Sequence, residues 1–80
     1  MVAVRLWGSL GELAGAPEVE IAATTLRELL QGLEAQYPAL APQLARGVSV
    51  SIDGKIYNDL WATPIREDSE VVLLNRLVGG

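Results

Sequence analysis

The chain contains no cysteine and no histidine. Without cysteine there is no disulfide framework, no thiolate nucleophile and no zinc–thiolate site. Without histidine, the commonest general base and the commonest metal ligand are missing. Long apolar runs are lacking as well. No stretch approaches the roughly 18 residues of a membrane span. The opening Met1-Val2-Ala3-Val4-Arg5 has neither the basic start nor the long apolar centre of a signal peptide. The expectation is a soluble, cytoplasmic protein with no membrane partner. Positive charge is sparse: Arg5, Arg27, Arg46, Lys55, Arg66 and Arg76 are scattered along the chain. No cluster of them can follow a phosphate backbone, so nucleic-acid binding is not expected. The net charge of −4 suits a basic protein partner, or serves only to keep a small protein soluble.

What remains is one small domain. Eighty residues, half of them apolar, bury only about 60% of the unfolded surface, so the apolar side chains must share one core. Val2, Val4 and Leu6 alternate with Ala3, Arg5 and Trp7, which is the period of a strand with one buried face. Residues 8–15 read as a hairpin connection with a single helical turn at Glu12-Leu13-Ala14. A second strand follows over 17–22, with Val19 and Ile21 on one face and Glu18 and Glu20 on the other.

Thr25 with Glu28 three residues on is a capping box. It starts a helix whose Leu26, Leu29, Leu30, Leu33 and Tyr37 recur at three- and four-residue steps. Gly32 within it suggests a close approach of helix and sheet. Pro38 closes the helix. Residues 39–46, broken by Pro42, read as a single turn or 3₁₀ piece that tucks Leu40 and Leu44 under the sheet. Val48, Val50 and Ile52 alternate with Ser49 and Ser51, giving a strand with a dry and a wet face. Asp53-Gly54 marks a tight hairpin, Lys55-Ile56-Tyr57 a short return strand, and residues 58–69 an irregular crossing containing Trp61, Pro64 and Ile65. Tyr57 and Trp61 read as anchors of core and crossing. Val71-Val72-Leu73-Leu74 is apolar on both sides, so this last strand belongs in the sheet centre, beside the first. The fold class is α+β: a roll with a mixed sheet of four to five strands and one main helix packed on one face.

The chain ends Asn75-Arg76-Leu77-Val78-Gly79-Gly80. Two glycines make a thin, flexible arm that packs nothing. Its one reactive group is the α-carboxylate of Gly80. Residues 1–78 are therefore read as the folded domain and 79–80 as a flexible Gly-Gly tail. Strand parity places Trp7, Val72 and Leu74 on the face away from the helix, an apolar patch of the kind that marks partner surfaces. Arg76 reads either as a partner of acidic groups on another protein or as a solvated charge at a strand end, and with Leu77 and Val78 it completes the expected partner-binding set. The acids Glu18, Glu20, Glu67 and Asp68 read as solvated. With no histidine, cysteine or metal cluster, no catalytic residue and no metal site is assigned.

The element order and terminus, together with Leu10-Gly11-Glu12-Leu13-Ala14-Gly15, Val48-Ser49-Val50-Ser51-Ile52-Asp53-Gly54 and Pro64-Ile65-Arg66-Glu67-Asp68-Ser69-Glu70-Val71, resemble the MoaD/ThiS family of ubiquitin-like sulfur carriers. The likeness to the molybdopterin synthase small subunit and the thiamine sulfur carrier spans the whole chain. Ser51 stands where the family often has Asn, and Asp68-Ser69 where it often has Gly-Asp. The tail lacks the family's frequent prolines and is closer to ubiquitin's. These departures bear on the subfamily and its pathway, not on the fold.

The resemblance implies a ubiquitin-like β-grasp fold and a carrier, not an enzyme. A ubiquitin-activating-like adenylating enzyme would use ATP-Mg to adenylate Gly80; sulfur would then displace AMP to leave a thiocarboxylate. A synthase, either the molybdopterin synthase large subunit or a thiazole synthase-like partner, would take up the sulfur. This chain itself would bind no cofactor. The chemistry fits a terminal acid: an α-carboxylate, of reference pKa about 3.5, is ionised at neutral pH and a poor acyl electrophile until a phosphate turns its oxygen into a leaving group. Two other readings share the terminus: a protein modifier conjugated through Gly80, and a ubiquitin-like binding module with an inert tail.

Overall fold

The computed structural model describes residues 1–57 and 62–75. Five strands, β1 (Val2–Leu6), β2 (Glu18–Ile21), β3 (Val48–Ile52), β4 (Lys55–Tyr57) and β5 (Val71–Asn75), form one sheet in the order β2-β1-β5-β3-β4. β1 and β5 run parallel; every other neighbouring pair is antiparallel. The two-sided apolarity of β5 is satisfied by its central place, between β1 and β3. Val71 and Leu73 turn inward and are buried, while Val72 and Leu74 are half-buried on the other face.

Among the described residues, three α-helices, α1 (Ser9–Ala14), α2 (Leu26–Gln36) and α3 (Ala41–Arg46), and a 3₁₀ turn at Pro38–Leu40 accompany the sheet. α2 is the main helix. Leu26, Leu29 and Leu33 are fully buried, and Leu30 and Tyr37 pack half-buried against the same core. A Cβ at Gly32 would fall 2.6 Å from Ile21 Cγ2, so this glycine lets α2 lie close against β2. Residues 62–65 are tied to the start of α2: Leu26 N–H donates to Thr63 O and Ile65 N–H to Thr24 O, each at 2.9 Å. Ile65 is buried by that docking, and Tyr57 is half-buried against the core.

The structure corrects the sequence reading in three places. The β1–β2 connection is not a hairpin loop with one turn at 12–14; α1 begins at Ser9. Gly8, with φ 60°, turns the chain out of β1 early enough for Leu10 to reach the core, where it is fully buried. Pro42 does not break residues 39–46. It sits in the first turn of α3, where an amide N–H has no helical partner in any case. Leu40 is buried while Leu44 is only half-buried. Ser49 is not wet: it is 7% exposed, a short side chain in an inner strand, in register with the larger Leu74.

The capping box forms with one shift. Glu28 N–H donates to Thr25 Oγ1 at 3.2 Å, but the Glu28 carboxylate reaches past Thr25 and accepts from both Thr24 N–H and Thr24 Oγ1 at 2.8 Å. The Thr24 backbone hydrogen bond, and then the hydroxyl's, hold the Glu28 carboxyl below its usual value of 4.5. A carboxyl depressed in the folded state stabilises the fold above its unfolded value and loses that contribution as pH falls through the lowered one. Glu28→Gln is therefore expected to melt below the parent at pH 7. The gap should close as pH drops below 4.5, which thermal melts at a series of pH values will read.

Candidate functional site

The sheet's outer face is built by register. One row across it runs Glu18, Arg5, Val72, Ser51, Ile56. A second row brings Ser49 to Leu74, and the Trp7 amide donates to Leu73 O at 3.2 Å, which sets Trp7 beside Leu74. Trp7 is 58% exposed. An indole left this open at the end of an inner strand is not core; it is a platform. Trp7, Gly8, Leu74 and Asn75 line an open hollow of about 300 Å³.

The end of β5 is fastened at this hollow. Asn75 Nδ2 donates to Ser9 Oγ at 3.3 Å, tying the last described residue of the strand to the first turn of α1. The expected partner residues Trp7, Val72 and Leu74 thus share one face. Arg76, Leu77, Val78 and the tail residues Gly79 and Gly80 lie outside the described residues, as does Trp61.

One residue of the face escaped the sequence reading. Ile56 is 55% exposed and lies in register with Ser51, on the same side as Val72. The signal is present in the chain: a two-residue Asp53-Gly54 turn fixes the pairing of Ile52 with Lys55, and one step on puts Ile56 opposite Ser51. Asp53 and Gly54 carry the positive φ values, 51° and 88°, that such a turn needs.

Among the described residues, the carboxylates do not gather into a reactive pair. Glu18 and Glu20 stand exposed on β2, and Glu67 accepts from the Met1 ammonium at 3.1 Å in solvent. Asp68 lies 3.5 Å from Arg66, both exposed; such pairs contribute about 0–1 kcal/mol. Among the described residues no group of three acidic, histidine or cysteine side chains is placed to hold a metal ion, and no helix is long and apolar enough to cross a membrane. The site offers an open, largely apolar hollow at the end of β5, bordered by the mixed row of the outer face. It has the form of a docking surface.

Comparison with known proteins bears on the family and the fold. The model of the ThiS family matches residues 4–80. The fold matches small archaeal modifier protein 1 from Methanosarcina acetivorans with a TM-score of 0.81 at 24% identity, covering 99% of this chain and 95% of that one. A putative molybdopterin converting factor subunit 1 from Pyrococcus furiosus matches with a TM-score of 0.80 at 16% identity, over 95% and 97%. A chain of the Amycolatopsis orientalis BexX/CysO complex matches with a TM-score of 0.78 at 17% identity, over the whole of both chains. No curated protein matches the sequence.

Proposed function

Because the chain belongs to the ThiS family, of ubiquitin-like sulfur carriers and modifiers, we propose that it is a sulfur carrier working through the carboxylate of Gly80. An adenylating enzyme related to the ubiquitin-activating enzymes, supplied with ATP-Mg, docks on Trp7, Val72 and Leu74 and draws the tail into its active site. Arg76, Leu77 and Val78 extend that contact. The Gly80 carboxylate attacks the α-phosphate, pyrophosphate leaves, and the acyl adenylate is opened by a sulfur nucleophile to give the thiocarboxylate and AMP. A synthase of the molybdopterin or thiazole type then receives the sulfur in the cytoplasm. The folded body, residues 1–78, positions the arm; Gly79 and Gly80 have no Cβ to obstruct a narrow channel.

The observation that carries this reading is the exposed Trp7 platform at the root of a segment ending in Gly-Gly. The second reading, transfer of Gly80 to an amine of another protein, is favoured by the name of the archaeal relative, a modifier protein. One experiment separates them. The chain is incubated with an adenylating enzyme from the same organism, ATP-Mg and sulfide, and its intact mass is measured. The expected result is the gain of one oxygen-to-sulfur exchange in the C-terminal peptide. An amide adduct instead would favour the modifier, and an unchanged mass with active enzyme would refute both.

A further inference from the structure

Five of the six basic side chains are arginine; Lys55 is the sole lysine. A guanidinium stays protonated and does not attack acyl groups, whereas an amine that sheds its proton does. A chain that carries an activated acyl end therefore exposes a single side-chain amine able to capture one. We infer that Lys55 is an acceptor site at which the activated Gly80 of a second copy forms an amide, linking copies head to tail. This rests on adenylation of Gly80 as proposed above.

Lys55 is exposed at the start of β4, with its Nζ 5.5 Å from the centre of the Tyr57 ring. It borders an open hollow of about 490 Å³, lined also by Ile52, Asp53, Pro64, Arg66 and Ser69. The floor is partly apolar, and a slender glycine arm needs no more than such a trough to lie beside the amine.

Position favours capture between molecules. Lys55 pairs with Ile52, which pairs with Val71 at the start of β5, whereas the tail departs from Asn75 at the other end. Four residue steps of strand separate those ends by about 13 Å. The five residues 76–80 span at most about 18 Å fully extended, and reversing direction takes about four residues in a turn. A copy's own tail would have to reverse and run back along the sheet to reach Lys55, whereas a second copy's tail need not. Register also places Lys55 on the side of Ile52, opposite the Trp7 face. An enzyme docked on that face leaves Lys55 open, so one molecule can be donor and acceptor at once. With one C-terminal carboxyl and one lysine per copy, the product is a linear, unbranched chain.

The step balances. The deprotonated Lys55 nitrogen attacks the Gly80 carbonyl carbon of the adenylate; the C–N bond forms, the C–O bond to AMP breaks, AMP leaves with the electron pair, and the amine proton passes to solvent. The nucleoside triphosphate is the only energy source.

The full chain is incubated with the adenylating enzyme and ATP-Mg, with and without sulfide, and products are digested with trypsin. Cleavage after Arg76 leaves a Leu-Val-Gly-Gly remnant on the acceptor. The expected result, without sulfide, is a linked ladder with that remnant on Lys55. Lys55→Arg should abolish the ladder while still forming thiocarboxylate when sulfide is present. A ladder that survives Lys55→Arg, through the Met1 amine, would overturn the assignment, as would thiocarboxylate formation with no ladder in the parent. Loss of both products from the parent would instead remove the carrier reading and this inference with it.

Discussion

One alanine added after Gly80 is expected to abolish thiocarboxylate formation completely and to leave the melting temperature of the protein unchanged. On the carrier reading proposed above, the reacting group is the terminal carboxyl. Extension converts it to an amide carbonyl, which lacks the anionic oxygen that attacks the α-phosphate, and the new carboxyl sits one residue too far along and behind a Cβ. Among the described residues, the buried cluster runs from Val2 to Leu73 and does not draw on the end of β5. Intact-mass measurement with the adenylating enzyme, ATP-Mg and sulfide reads the first half of the prediction, and a thermal melt the second. Normal sulfur loading of the extended chain would show that Gly80 is not the working group.

The second large effect is expected within β5, from two leucines in succession. Leu73→Ala should cost about 3–5 kcal/mol, because Leu73 is fully buried in the central strand and truncation leaves a cavity as well as losing transfer energy. An 80-residue domain holds a total of about 4–12 kcal/mol, so the melting temperature should fall by at least about 12 °C. Leu74→Ala, one position on and half-buried on the outer face, should cost about 1 kcal/mol or less. Its effect is expected on binding instead. Together with Trp7→Ala, which removes an indole already 58% exposed, it should leave the fold intact and weaken docking on the adenylating enzyme, roughly 30-fold for the tryptophan. Denaturant unfolding and calorimetric titration read the two effects separately. Unchanged affinity in Trp7→Ala would show that the partner docks elsewhere.

The division between these two neighbouring leucines is legible in the sequence alone. Period-two alternation assigns a face to each residue of β1, β3 and β5, and the apolarity of β5 on both sides requires a central place. The Thr25–Glu28 cap and the leucine spacing fix α2 to its first turn. Parity groups Trp7, Val72 and Leu74, and the strand register sets them on one face. The misreadings depend on residues far away in sequence or on position within a helix. Residues 9–11 are helical because Leu10 finds a buried seat. Pro42 reads as a break only under a rule that fails in a first turn.

By itself, then, the sequence determined the order of the five strands and the main helix, the core face of each of these long elements, the Gly-Gly end and the lone lysine. Each of these is a local pattern or a simple count, set by the 2.0 and 3.6 residue periods of backbone geometry. Only the tertiary structure decided that Ser49 is dry, that Asn75 is tied to Ser9, and that Lys55 and Asn75 lie toward opposite ends of the sheet. These follow from which strands become neighbours and in what register, and pairing energy between distant segments carries no periodic signature along the chain.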